Sequence, residues 1–450
     1  MRRTPRIKIG LISLGCPKNL VDSELMLGAL SREGMEPVAD VHLADVLIVN
    51  TCGFIEAAKK ESIETILRAS ELRGSGKRRV LIVAGCLPQR YPKQLQKEFP
   101  EVDAFVGLNE VPRIGAIVRD LLAKRKGVAP QLFWSGPARY VPDYATPRFR
   151  LTPRHFAYVR IADGCNHRCS FCSLPRIRGN HRSRPLEDVL TEVRALVSDG
   201  VREINLISQD TTSYGKDLTG GRSLLSELLR GVERLDGDFW VRVLYTHPAH
   251  WSNELIGTIA ACGKVCRYVD MPLQHINDEI LRRMRRDTSS RQIRDLIKKI
   301  RRGIPGVALR TAFIVGFPGE TETQFAELLE FVAETRFDRL GVFVYSPEDN
   351  TVAGGMDGQL PARVKQQRRR RIMALQQQIS RELLQAQVGR TLRVLVEKQM
   401  TRGLVGRTAA DAPEIDGTVR VRGSSPRMLR GEFADVRITG ATEYDMVGVL

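Results

Sequence analysis

The chain has 450 residues, too many for one ordinary hydrophobic core, and at roughly 150 residues per domain it predicts about three domains. Hydrophobic residues make up 42% and charged residues 27%, the balance of a globular protein, and no apolar run approaches the roughly 18 residues of a membrane helix. The formal net charge of +18 points to an anionic partner, most often nucleic acid or a ribosomal particle, with simple solubility as the alternative.

The N-terminus carries Arg2, Arg3, Arg6 and Lys8, but the apolar stretch that follows is interrupted by Ser13, Gly15 and Cys16. It reads as a strand rather than a signal peptide, so a cytoplasmic location is expected. There the eight cysteines point to metal or redox chemistry and not to a disulfide framework. Strands near 7–15, 45–51, 79–85 and 103–106 alternate with amphipathic stretches, which predicts a parallel α/β domain over 7–125. Residues 126–150, entered through Lys124, Arg125, Lys126 and Gly127, show no period and are expected to be a linker.

From 151 the alternation resumes, with strands near 156–161, 203–208, 240–245, 267–271, 310–315 and 339–344. Six such units predict a partial or full (βα) barrel, whose chemistry belongs at the carboxyl ends of the strands. Residues 362–388 form a long polar helix containing Arg368, Arg369, Arg370 and Arg371, read either as a connector with a solvated basic face or as a contact for ribosomal RNA. The tail, 388–450, has short glycine-punctuated runs, TLRVLVE, GTVRVRG, GEFADVRITG and YDMVGVL, that predict a small antiparallel β-barrel.

Residues 165–172 read CNHRCSFC, three thiols directly after a barrel strand. Structural zinc takes four closing ligands, and His167 is awkwardly placed as the fourth, whereas a four-iron cluster on three thiolates keeps one iron open. The first domain holds a second set. Cys16 ends ISLGC, Cys52 ends LIVNTC and Cys86 ends LIVAGC, each after an apolar strand. In a parallel sheet the strand carboxyl ends share one edge, so these three thiols can meet there as a second metal site. Buried core cysteine is the bland alternative, and it is the reading given to Cys262 and Cys266, which have no third partner.

The CNHRCSFC loop resembles the radical S-adenosylmethionine superfamily. The whole chain resembles its methylthiotransferase family, with a three-cysteine N-terminal domain, a radical barrel and a C-terminal barrel of the TRAM type. The segment Leu174 to Pro185, LPRIRGNHRSRP, fits that family's arginine-rich stretch. LGCPKNLVDSE around Cys16, DMPLQHIN from Asp270 and DAPEIDG from Asp411 resemble the branch that modifies an aspartate of small-subunit ribosomal protein S-twelve; the competing branch modifies an adenosine of transfer RNA. The tail from 391 carries nine Lys plus Arg against eight Asp plus Glu, a near-neutral barrel that suits a basic ribosomal protein better than naked RNA.

The resemblance implies two 4Fe-4S clusters, on Cys165, Cys169 and Cys172 and on Cys16, Cys52 and Cys86. It also implies S-adenosyl-L-methionine, an electron donor and a sulfur source of unspecified identity, and methylthiolation at the aspartate β-carbon. No catalytic acid or base beyond the cluster ligands is expected, because the bond attacked is a non-acidic C–H. Asn205, Gln209, Arg310, Gly316, Gly319 and Glu320, at or near strand ends, are the expected cofactor contacts. Gln274 and His275 are read as substrate-side residues or scaffold, and Asp22 and Glu24 as charges at the start of the first helix.

Overall fold

The computed structural model describes residues 6–72, 79–123, 129–423 and 430–450. Arg2 and Arg3, and Lys124, Arg125, Lys126 and Gly127 at the start of the expected linker, lie outside them. The chain forms two compact units: Met1–Leu151 with Ala162–His167 and Cys172–Arg184, and Thr152–Ile161 with Arg168–Phe171 and Pro185–Leu450.

In the first unit β1 (Lys8–Ser13), β2 (Glu36–Pro37), β3 (Val46–Thr51), β4 (Val80–Gly85), β5 (Ala104–Val106) and β6 (Gln131–Phe133) form one sheet, ordered β2-β1-β3-β4-β5-β6 and parallel throughout. Strands β3 and β4, VLIVNT and VLIVAG, are buried along their whole length, as a parallel sheet covered on both faces requires. Leu47, Val49, Leu81, Val83 and Phe105 pack there with Ile66 and Leu95. Strand β6 comes from the stretch expected as linker. Its three residues extend the sheet beside β5, a length too short to show any period in sequence.

In the second unit β7 (Phe156–Arg160) opens the barrel. The chain then returns to the first unit for the antiparallel pair β8 (Ala162–Asp163) and β9 (Arg182–Ser183). Next come β10 (Glu203–Ile207), β11 (Trp240–Val243), β12 (Tyr268–Asp270), β13 (Ala308–Val315) and β14 (Arg339–Val344). These strands make two parallel three-stranded sheets, β11-β10-β7 and β12-β13-β14, joined by a parallel bridge from Val241 to Val265. The barrel is therefore partial: among the described residues no ladder joins β7 to β14.

The helix Ala362–Gln385 lies on this barrel with Arg368 on its buried face, while Arg369, Arg370 and Arg371 are exposed, so only Arg368 departs from the expected solvated basic face. Arg368 is buried against Glu320, Arg371 pairs with Glu322, and Arg369 donates to Val342 O. The tail closes into a barrel of β15 (Thr391–Met400), β16 (Gly403–Thr408), β17 (Val419–Arg422), β18 (Phe433–Ala441) and β19 (Met446–Val449), ordered β15-β16-β17-β19-β18. Val394, Val396, Leu404, Val419, Val421, Val436 and Ile438 fill it by period-two alternation. Four of its strand pairs are antiparallel, as expected, and β17 and β19 run parallel. A closed ring with an odd number of strands cannot alternate direction at every pair, so one pair must be parallel.

The tail barrel is tied to the amino-terminal side of the (βα) strands by buried charge. Arg407 Nη2 meets Glu203 Oε2 at 2.5 Å, Arg242 Nε meets Glu203 Oε1 at 2.8 Å, and Arg242 Nη1 donates to Ala409 O at 2.7 Å. The loop after β16 adds Asp411 on Arg339, Glu414 under Tyr158 at 3.2 Å, and Asp416 on Tyr268 at 2.6 Å. Four of the tail's acids, Glu397, Asp411, Glu414 and Asp416, thus face inward partners. Lys398, Arg402, Arg420, Arg422 and Arg437 stay exposed. The near-neutral sum read from sequence therefore hides a basic outer face.

Candidate metal centres and cofactor site

The three cysteines of the first domain sit where adjacent strands end. Cys16 follows β1 and precedes the helix Pro17–Arg32, Cys52 directly follows β3, and Cys86 begins the helix Cys86–Arg90 after β4. Two of them need the glycine before them. At Gly15 (φ +90°) an added Cβ would lie 2.9 Å from Cys52 Cβ, and at Gly85 (φ +98°) one would lie 2.2 Å from Asn50 Oδ1.

One side chain gathers the three strand ends. Asn19 Nδ2 donates to Leu14 O at 3.0 Å and to Thr51 O at 2.8 Å, while its Oδ1 accepts from Cys86 Sγ at 3.3 Å. Behind it Asn50 Nδ2 donates to Asn19 O at 2.7 Å and to Ser23 Oγ at 2.8 Å, and Thr51 Oγ1 to Ala84 O at 2.7 Å. Burial pushes the Cys86 thiol up to about 12, against the pull of Arg178, and also raises Cys52. Unmetallated, these thiols resist ionisation; a bound cationic centre supplies the compensation their thiolates need.

The donor set fits a cluster: structural zinc takes four closing ligands, whereas three thiolates suit a polynuclear centre that keeps one iron open.

A buried arginine borders this site. The Arg178 side chain is 2% exposed and donates through Nη2 to Asp22 Oδ2 at 2.6 Å, Asn19 Oδ1 at 2.8 Å and Cys86 Sγ at 3.4 Å, and through Nη1 to Asp163 Oδ2 at 3.2 Å. Asp22 therefore serves this guanidinium and not the helix start. Glu24 likewise accepts from Arg148 Nε at 2.8 Å and Leu151 N at 2.7 Å. The first helix has Cys16 at its N-cap and no acid in its first turn; Asp22 and Glu24 lie beyond it, out of reach of the helix start.

The CNHRCSFC loop is fastened within both units. In the first, Cys165 N donates to Gly179 O at 3.0 Å, and a Cβ on Gly164 (φ +79°) would lie 2.0 Å from Asn180 O. In the second, Ser170 N donates to Met284 O at 2.9 Å, Phe171 packs on Ile280, Met284, Phe317 and Tyr345, and Arg286 Nη1 approaches Cys169 Sγ at 3.6 Å. Cys262 and Cys266 are buried core thiols, Cys266 pushed up to about 11 by burial.

The expected cofactor contacts fall into two groups. Asn205 stands on β10 two residues after Glu203, hence on the same interior face, and is fully buried with both amide atoms unpartnered. An orphaned amide inside a barrel fits a ligand that hydrogen-bonds there. Gln209 lies just past the same strand. Arg310 is engaged by Asp270 at 2.7 Å and Asp416 at 3.6 Å, and Glu320 by Phe317 N at 3.0 Å, Gly316 N and Arg368. Gly316 (φ +74°) and Gly319 (φ +73°) form the turn after β13, where a Cβ would strike Lys365 or Arg283.

His275 is fully buried, and burial holds it down to about 3; its Nδ1 accepts from Asn277 N at 3.0 Å, while its Nε2 is buried without a hydrogen-bond partner. Gln274 (φ +73°) bridges to Phe313 through its backbone. Sequence reasoning missed Asn19, Asp163 and Arg178. It also missed Asp210, His247 and His250 at the carboxyl ends of β10 and β11, where His250 Nδ1 meets Asp210 Oδ2 at 2.8 Å and Ser213 Oγ meets it at 2.6 Å. The pair of histidines in THPAH after a barrel strand was the available signal.

Known families match in three parts: uncharacterized protein family UPF0004 over residues 8–107, the radical SAM superfamily over 159–332 and a TRAM domain over 388–450. The chain is 54% identical to the ribosomal protein uS12 methylthiotransferase RimO of Opitutus terrae, over 98% of this chain and 96% of that protein. To the protein of the same name from Heliobacterium modesticaldum it is 48% identical, over 98% and 95%. Among solved structures, the radical S-adenosylmethionine methyltransferase TsrM from Kitasatospora setae shares the fold, with a TM-score of 0.57 at 16% identity over 78% of this chain and 77% of that one.

Proposed function

From the premise that the chain belongs to the ribosomal protein uS12 methylthiotransferase family, we propose that it methylthiolates the β-carbon of an aspartate of uS12. The observation that carries this reading is the gathering of Cys16, Cys52 and Cys86 by Asn19 at one sheet edge, a second thiol site in a chain that already has the CNHRCSFC loop. Cys165, Cys169 and Cys172 would hold one 4Fe-4S cluster and Cys16, Cys52 and Cys86 the other. When bound, the clusters and S-adenosyl-L-methionine supply a carbon-centred radical and a sulfur atom to the substrate carbon.

The chain's own residues bind, orient and exclude water. Asn205 and Gln209 would hydrogen-bond the cofactor at the carboxyl half of β10. Gly316 and Gly319, in the turn that Glu320 staples, would let backbone approach it, and Arg310 would fix the strand face beneath. Asn19 and the glycines before Cys16 and Cys86 hold the auxiliary thiols in place, so that rate comes from positioning and not from proton transfer. The basic outer face of the tail barrel supports a substrate presented within a ribosomal particle, a reading in keeping with a cytoplasmic reaction. No helix among the described residues is long and apolar enough to cross a membrane.

Anaerobic incubation of reconstituted protein, reductant and S-adenosyl-L-methionine with uS12, small subunits or transfer RNA tests this by mass spectrometry. A methylthio gain on the uS12 aspartate, greater on subunits than on free protein and weakened by salt, is expected. Gain on a transfer RNA adenosine with none on uS12 would overturn it.

A further inference from the structure

Arg178 is a costly group to bury, and its surroundings say what it is for. Its guanidinium sits between two carboxylates, Asp22 and Asp163, which come from opposite ends of the first unit's sequence, and it touches Cys86 Sγ on a third side. Structural ion pairing explains the carboxylates but not the sulfur. The Cys86 thiol donates its proton to Asn19 Oδ1. Once the sulfur is a metal-bound thiolate that bond is lost, and the cationic guanidinium, whose Nη2 shares its two protons among Asp22, Asn19 and the sulfur 3.4 Å away, is left as the charge-assisted donor facing it.

The same side chain also reaches the other ligand segment. Asp163 precedes Gly164 and Cys165, and Gly164 N donates to Asp163 Oδ1 at 2.9 Å. Gly179, next to Arg178, accepts from Cys165 N, and Asn180 O leaves no room for a Cβ at Gly164. Arg178 and the residue after it therefore hold both an auxiliary thiol and the backbone of the first cysteine of the CNHRCSFC loop.

We propose that Arg178 is a positioning residue for the methylthiolation read above, one that sets the reduction potential of the auxiliary cluster by donating to Cys86 Sγ and fixes Cys86 relative to the Cys165 segment. The sign follows from charge. Hydrogen bonds to sulfur and net charge are what set a cluster's potential. Replacing the guanidinium by a neutral amide removes one positive charge and leaves Asp22 and Asp163 behind, so the site becomes more negative, addition of an electron is disfavoured, and the midpoint falls.

The test uses the full chain with R178Q and R178K. In a C165A/C169A/C172A background, where only the auxiliary cluster can assemble, potentiometric titration followed by electron paramagnetic resonance should give a lower midpoint for R178Q than for the parent. R178K, which keeps the charge but not the fork, should lie between them. In the otherwise native chain, methylthiolated product per 5′-deoxyadenosine released should fall about tenfold in either variant, the usual cost of losing an outer-shell partner. Buried Asp22 and Asp163 put folding of R178Q at risk; if it fails to fold, R178K decides. A parental midpoint with a parental product ratio in the variants that fold would overturn the proposal. A parent that releases 5′-deoxyadenosine yet leaves uS12 unmodified would instead overturn the functional reading, while the midpoint still decides the role of Arg178.

Discussion

Cys165, Cys169 and Cys172 share eight residues of one loop, whereas Cys16, Cys52 and Cys86 stand 36 and 34 positions apart and come together only because β1, β3 and β4 are neighbours in a parallel sheet. The first set costs little chain entropy to assemble, since short loops close cheaply. The second depends on the whole sheet being folded in register, because a one-residue slip along any strand would turn its terminal side chain away from the edge. Polar support differs accordingly. Asn19, Asn50 and Thr51 form a buried lattice behind the second set, while the loop relies on backbone bonds to Gly179 and Met284 and on the packing of Phe171.

That contrast can be broken most severely at the ligands. C52A should abolish methylthiolated product while still releasing 5′-deoxyadenosine, and C165A should abolish both; each should retain about half the iron on reconstitution. Loss of 5′-deoxyadenosine in C52A would mean the two sites are not separable.

A large effect confined to the second unit is expected from R407A. It takes one of two guanidiniums from Glu203, which keeps Arg242, and leaves Glu397 with His155 alone; breaking a buried pair by removing its sole partner costs about 3–5 kcal/mol, so that figure is the ceiling of the expected loss. Chemical denaturation should show that loss, with the auxiliary iron content unaltered. A stability within experimental error of the parent would show that the tail barrel is not anchored by charge.

A middle-sized effect sharpens the comparison from the other side. N19A removes the clamp on Leu14 O, Thr51 O and Cys86 Sγ, leaving buried acceptors unpaired at about 1–3 kcal/mol. Iron counts in the C165A/C169A/C172A background should fall, because the auxiliary thiols lose their alignment. Equal iron in N19A and its parent would show that the sheet alone suffices.

The smallest effect is on acid stability. Burial disfavours the Glu203 carboxylate, but Arg407 and Arg242 outweigh it and hold the group below its ordinary value of 4.5. A depressed folded value contributes stability above the unfolded value, and that contribution is lost as pH falls through the lower folded one. Thermal unfolding should therefore be insensitive to this group near neutrality and decline below about pH 4.5. E203Q should show a shallower decline there; a parallel curve would remove Glu203 from the acid response.

The strand-end and loop positions of the six proposed ligand cysteines were legible because cysteine after an apolar strand is a local pattern, and the barrel strands were legible by the same alternation. The supporting polar groups were not. Arg178 meets Asn19 across 159 positions, and nothing in either neighbourhood marks the partner. Asp22 and Glu24 looked like helix-start charges because position relative to the helix is visible in sequence and tertiary recruitment is not. Within the arginine run at 368–371 only Arg368 departed from the expected solvated face: its burial on Glu320 depends on which helix face meets β14 and its neighbours, and a run of one residue type carries no face information. Three-residue β6 fell below any period, and the tail's charge sum concealed that four of its eight acids engage inward partners.

The inward acids of the tail barrel also bear on how such chains can be recombined. Asp411 and Asp416 are matched to Arg339 and Arg310, and Glu203 to Arg407, each pair split between the two barrels. A tail domain grafted from a protein lacking those partners would bury several uncompensated charges at the junction. Shuffling this module between enzymes therefore requires exchanging the DAPEID loop together with the strand starts that receive it, so the boundary at which the domain can be cut lies inside the neighbouring barrel and not at the end of the connecting helix.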